Sequence, residues 1–106
     1  MSSASQGRAR EHRVRDHMRA TGWELIARSA GSKGPADLIV AHPTHGLALV
    51  QVGTENKTLG PVARTRLLRA AHLSSALPIL AAATRAGITY WWVGPGPAST
   101  WTEWTP

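Results

Sequence analysis

Hydrophobic and polar positions divide this 106-residue chain into segments of two different periods. Between residues 8 and 21 neither glycine nor proline intervenes, and Glu11, Val14, Arg15 and Met18 follow the i, i+3, i+4, i+7 spacing that shares one helical face. This predicts a helix over 8–21, stopped by Gly22. Glu11 lies on the stripe of the two best core candidates, which would lean its carboxylate inward, but spacing alone favours a solvated i,i+4 pair with Arg15. Residues 23–28 then alternate, with Trp23, Leu25 and Ala27 on one side of a strand and Glu24, Ile26 and Arg28 on the other. Residues 37–41 are nearly continuous in apolar character, as in a strand covered on both faces. After the turn HPTHG, the run LALVQV predicts a third strand over 47–52, and a β-meander is the simplest connection.

A polar loop over 53–60 leads to Pro61, which suits the first turn of a helix over 62–76. Val62, Leu67, Leu68, Ala71 and Leu73 form its apolar side, and Arg64, Arg66 and Arg69 face solvent or phosphate. Strands over 78–83 and 88–93 follow. Residues 94–106 hold three of the seven prolines and no periodicity, which predicts an irregular arm, and the small polar residues 1–6 predict a frayed terminus. The expected architecture is one α/β domain of order α-β-β-β-α-β-β, a mixed central sheet flanked by helices.

Charge adds a partner to this picture. Twelve Lys and Arg against 6 Asp and Glu give a net charge of +6, so a polyanion is the natural ligand. Arg8, Arg10, Arg13, Arg15 and Arg19 crowd the first helix, and Arg64, Arg66 and Arg69 the second; the planar guanidinium suits phosphate. A membrane-surface role needs a broad apolar face opposite these arginines, and the first helix offers only Val14 and Met18. Without cysteine there is no disulfide framework or thiolate zinc site. No run approaches the length of a membrane span and the start has no apolar leader, so the expected location is the cytoplasm.

Candidate chemistry begins with Asp37, a single acid at the threshold of Leu38, Ile39 and Val40, where a hydrophobe would bury more comfortably. If the second and third strands pair through HPTHG, Asp37 and Gln51 fall at the same end of the hairpin. Oxygen ligands of this kind suit a hard divalent cation, which offsets charge on a phosphodiester and activates water. Glutamine ligates without charge and attracts the ion less. GSKG, with Ser32 and Lys33, lacks the remaining elements of a P-loop, so nucleotide hydrolysis is not indicated. His42 and His45 have no third ligand nearby and fit an exposed turn. Tyr90, Trp91 and Trp92 are consecutive, so at least one ring lies outside the core, available to a nucleobase or a partner subunit.

The run GSKGPADLIVAHPTHGLALVQVG, with Glu11 upstream in GRAREHRV and the pair Gly22–Trp23, resembles the PD-(D/E)XK nuclease superfamily and its restriction-endonuclease-like fold. Within it the similarity is to the Holliday-junction resolvases of archaea and their relatives in actinobacteria and phages, over about residues 7–93. The resemblance implies a structure-specific, recombination-type endonuclease using Mg2+ or Mn2+. It implies Glu11, Asp37 and Gln51 as metal ligands, Ser32 as a loop contact at the scissile region, and a homodimer. Arg8, Arg10, Arg13, Lys33, Arg64 and Arg66 would grip the backbone of branched or duplex DNA. One departure stands out. Where the motif places lysine two positions after the third ligand, this chain has Gly53, and Lys33 or Lys57 would have to reach the site instead. That leaves a slow nuclease or a DNA-binding form without cleavage; a protein-binding adaptor using the tryptophan-rich end is the third reading.

Overall fold

The computed structural model describes residues 3–28, 34–53 and 59–106, with the side chains of 3–6 excepted. Helix α1 (Ser3–Arg19) precedes strands β1 (Glu24–Arg28), β2 (Leu38–His42) and β3 (Gly46–Gly53); helix α2 (Pro61–Ser74) leads to β4 (Leu77–Thr84) and β5 (Gly87–Trp92). A 3-10 turn (Ala98–Thr100) and a short strand β6 (Thr102–Trp104) complete the chain. The strands form one mixed sheet in the order β1-β2-β3-β4-β5-β6, every neighbouring pair antiparallel except β3 and β4. A parallel pair needs a crossover, and α2 supplies it.

The expected α-β-β-β-α-β-β order and the β1–β3 meander are present, and both ends of the chain are more regular than expected. Helix α1 starts at Ser3, inside the segment read as frayed. The tail is corrected from an irregular arm to a strand-forming segment: Thr102, Glu103 and Trp104 pair with Trp92, Trp91 and Tyr90. Three prolines concealed this strand because none falls inside it; they occupy the turns before it and the last position.

Each helix ends where backbone chemistry requires it. Gly22 sits at φ +99 behind α1, which lets the Trp23 amide reach back to the Met18 carbonyl at 3.1 Å. Helix α2 starts with Pro61 at its first turn and closes through Ser75 in the left-handed region, with the Ala76 amide on the Ala71 carbonyl at 2.8 Å.

Two apolar layers lie on opposite faces of the sheet. Val14 and Met18 of α1 pack with Trp23, Leu38, Val40, Val50, Ile79 and Tyr90 on one face. Leu67 and Ala71 of α2 pack with Leu49, Leu80, Val93 and Trp101 on the other. The apolar side expected for α2 is narrower than its composition suggests: Val62 and Leu73 are 76% and 71% exposed. Of the three consecutive rings in β5, Tyr90 is buried, Trp91 half-buried and Trp92 exposed, as alternation requires. Trp104 meets Trp23 and Tyr90 edge-on at centroid distances of 5.6 and 5.8 Å, so the tail tryptophans pack on their own sheet.

Trp101 therefore joins the last segment to the second layer, with its indole Nε1 donating to the Gly96 carbonyl at 3.1 Å. Replacing it with alanine removes a buried aromatic ring and a hydrogen bond. The expected loss is about 3 kcal/mol of unfolding free energy, read from urea denaturation; a loss near zero would mean that the tail does not belong to the core.

Candidate active site

Asp37 is the only charged residue buried among the described ones, at 4% exposure. Its position follows from how β2 begins. The Asp37 amide donates to the Val50 carbonyl at 3.0 Å, and Oδ2 of its carboxylate accepts the Val52 amide at 2.8 Å. Strand β2 starts one residue later, so the side chain stands in for a backbone carbonyl on the last stretch of β3. This accounts for an acid at the threshold of an apolar strand: it satisfies a half-buried strand amide where the partner strand has not yet begun.

Glu11 approaches from α1. It lies one turn before Val14 on the buried stripe, its side chain is 13% exposed, and Oε1 accepts from Nε of Arg28 at 2.9 Å. The solvated pair with Arg15 does not form; Arg15 instead pairs with Asp16 at 2.9 Å. Strict alternation would turn Arg28 away from Trp23 and Leu25. A register shift between Leu25 and Ala27 changes this, leaving Ile26 59% exposed and setting Arg28 opposite Leu38, on the face that α1 covers. An extra residue in one strand re-aims the side chains beyond it. The bulge is what delivers Arg28 to Glu11, and alternation alone could not have indicated it.

Glu11 also acts on the Asp37 carboxyl. Burial raises the Asp37 carboxyl above its ordinary value; the Val52 amide pulls it down, and the charge of Glu11 adds to the rise. Glu11 and Asp37 thus share one field. Gln51 lies between Val50 and Val52, the two residues that bind Asp37, and is half-buried. Val50 and Val52 face the α1 layer, so alternation puts Gln51 on the other face with Leu49. Its amide makes no hydrogen bond to either carboxylate among the described residues.

Among the described residues no three His, Cys, Asp or Glu side chains form a group able to hold a metal. Any ion here would rest on Glu11 and Asp37 with water and substrate, and on the Gln51 amide only where β3 departs from its regular alternation. That donor set is all oxygen and carries two negative charges, which fits a hard divalent cation. Gly53 ends β3, and among the described residues a Cβ there would meet only Leu80 Cδ1 at 3.7 Å, ordinary contact. Ser32, Lys33 and Lys57 lie outside the described residues.

The arginines occupy two surfaces. On α1, Arg8 is exposed, Arg10 half-buried, and Arg13 donates through Nη2 to the Thr84 carbonyl at 2.6 Å. On α2, Arg64 is half-buried and Arg66 exposed. Because the helices cover opposite faces, these cations form separated patches. His17 is held by Tyr90, its Nδ1 2.9 Å from the phenol oxygen. His42 caps its own turn: Nδ1 accepts the Thr44 amide at 3.1 Å and the His45 amide at 3.3 Å. His45 lies in the exposed turn as expected, whereas His42 is half-buried and closes β2.

No protein-family model matches the chain, and no curated protein matches it by sequence. Among solved structures it is similar to the Holliday junction resolvase Hjc of Archaeoglobus fulgidus, an archaeal hyperthermophile. The match has a TM-score of 0.69 at 17% identity and covers 89% of this chain and 74% of that one. It shows the fold: a resolvase-like mixed sheet flanked by helices, as the sequence resemblance implied.

Asp37→Asn tests the electrostatic cost of the site, since the amide keeps an oxygen for Val52 and removes the charge. A carboxyl raised on folding costs nothing below the ordinary aspartate range, where folded and unfolded chains are both protonated. Stability is then lost as pH rises through the folded value. In chelator the variant should melt above the parent at pH 7, and the difference should close on acidification. A parent that melts higher at pH 7 would contradict this.

Proposed function

We propose that the protein is a Holliday-junction-resolvase-like endonuclease that grips branched or duplex DNA by its phosphates and hydrolyses a phosphodiester with a divalent metal. The observation that carries this reading is the buried Asp37, tied to β3 through Val52 and within the field of Glu11, on a fold shared with a resolvase. Glu11, Asp37 and Gln51 would hold Mg2+ or Mn2+, which when bound offsets phosphate charge and makes water a better nucleophile. Asp37 would present its carboxylate from the threshold of β2, and Glu11 its own from α1. Ser32 would contact the scissile region from its loop. Arg8, Arg10, Arg13, Lys33, Arg64 and Arg66 would bind backbone phosphates, contacts that position the nucleic acid without reading its bases.

The protein would act as a homodimer on symmetric strands. A groove of about 470 Å³ lined by residues that include Ala27, Arg28, Ile39, Leu47, Leu49 and Ala70 is the apolar surface that a second copy would cover. DNA recombination is the process that fits such an activity. A second reading, a DNA-binding module without cleavage, is favoured by Gly53, which supplies no cation where the family motif has one.

Cleavage of a four-way junction with Mn2+ separates the two readings. The parent is expected to cut slowly, and Gly53→Lys to cut ~10²-fold faster, the usual worth of one positioned electrostatic group. Cutting by the substituted form alone supports the silent module, and cutting by neither removes the nuclease reading. Binding measured without metal should fall steeply with salt and differ little between sequences; a flat salt response would argue against phosphate recognition.

A further inference from the structure

Among the described residues the cation paired with Glu11 is Arg28, and it is already engaged. Its Nε holds Glu11 Oε1 at 2.9 Å, an ion pair whose acid is only 13% exposed. The arrangement depends on the β1 bulge, since without the register shift Arg28 would face the α2 side. Bulges beside sites commonly serve to re-aim a side chain. Here the result is a fixed positive charge on one of the two acids that share the site.

We infer that Arg28 is an internal competitor of the divalent cation, so that its pair with Glu11 sets how much metal the site requires. This rests on the metal-binding reading above. Glu11 can serve an incoming ion in two ways: it surrenders Oε1, or it uses its second oxygen with a guanidinium still close by. Either way part of the attraction between the ion and Glu11 is lost. Removing the positive charge leaves the field of two carboxylates undiminished and nothing to displace. A third acid in place of neutral Gln51 would add attraction, so in this chain the competition weighs more.

The test is a Mn2+ titration without DNA, with free ion followed by electron paramagnetic resonance. Arg28→Gln should bind Mn2+ about fivefold tighter than the parent, the effect of removing one partly exposed ion pair. Arg28→Lys, which keeps the charge, should bind like the parent. A purely structural role for Arg28 would weaken binding in Arg28→Gln, and unchanged or weaker binding there overturns the inference while leaving the metal reading intact. Absence of Mn2+ binding in both parent and Arg28→Gln overturns the two together. If Arg28→Gln does not fold, Mg2+ titration of the parent decides, through the NMR signal of the Arg28 Nε–H. Movement of that signal toward its solvated position, abolished by Glu11→Gln, supports competition, and a signal that stays fixed while Mg2+ binds overturns it.

Discussion

The end of β3 presents a constraint that the neighbouring residues resolve. An amide on a half-buried strand needs an acceptor, and the adjoining strand starts too late to offer its backbone. Asp37 provides a carboxylate oxygen to Val52 at 2.8 Å, and in doing so becomes a buried acid. A threonine or asparagine would meet the hydrogen-bonding need with no charge to desolvate. The acid costs stability that the fold does not recover locally, since the Val52 amide offsets burial only in part and Glu11 adds to the cost. A group kept against its electrostatic preference is what a cation site requires, and this links the local hydrogen bond to the proposed chemistry.

The same logic extends to Arg28. Two acids sharing one field need a positive charge, whether from an ion or from the protein. The guanidinium of Arg28 supplies it to Glu11, the less buried of the two, and Asp37 has no ion-pair partner among the described residues. The β1 bulge therefore affects more than strand shape. It exposes Ile26 at the sheet edge and turns Arg28 inward, exchanging some apolar burial for charge compensation at the site.

Much of this was legible in the sequence because strong periodicities coincide with strong packing. Val14 and Met18 announced the inner face of α1 and are fully buried, and LALVQV announced β3 with its boundaries off by one residue at either end. The stripe through Glu11 offered an inward carboxylate, but spacing alone favoured the solvated pair with Arg15, which does not form. Three features were not legible. The bulge inverts alternation after Leu25 through backbone geometry that no residue type in ELIAR signals. Strand β6 lies among prolines whose positions, rather than number, decide pairing. Val62 and Leu73 continue the apolar pattern of α2 beyond the width of sheet that the helix covers, so periodicity overstated burial there. The identity of the acid's partner, a backbone amide fifteen residues away, also depends on register rather than composition.

Gly53 is best understood by asking what the backbone demands of it. A glycine is required where φ enters the left-handed region or where a Cβ would collide, as at Gly22, whose Cβ would come within 3.0 Å of the His42 ring. Gly53 meets neither condition: its φ is not in that region, and a Cβ there would meet one methyl group at ordinary distance. In a strand glycine even carries an entropic cost relative to residues with side chains. The absence of a side chain at this position is therefore a chemical difference from the motif and not a structural necessity. Among the described residues, the sheet end that holds Asp37 leaves room for a Cβ at this position.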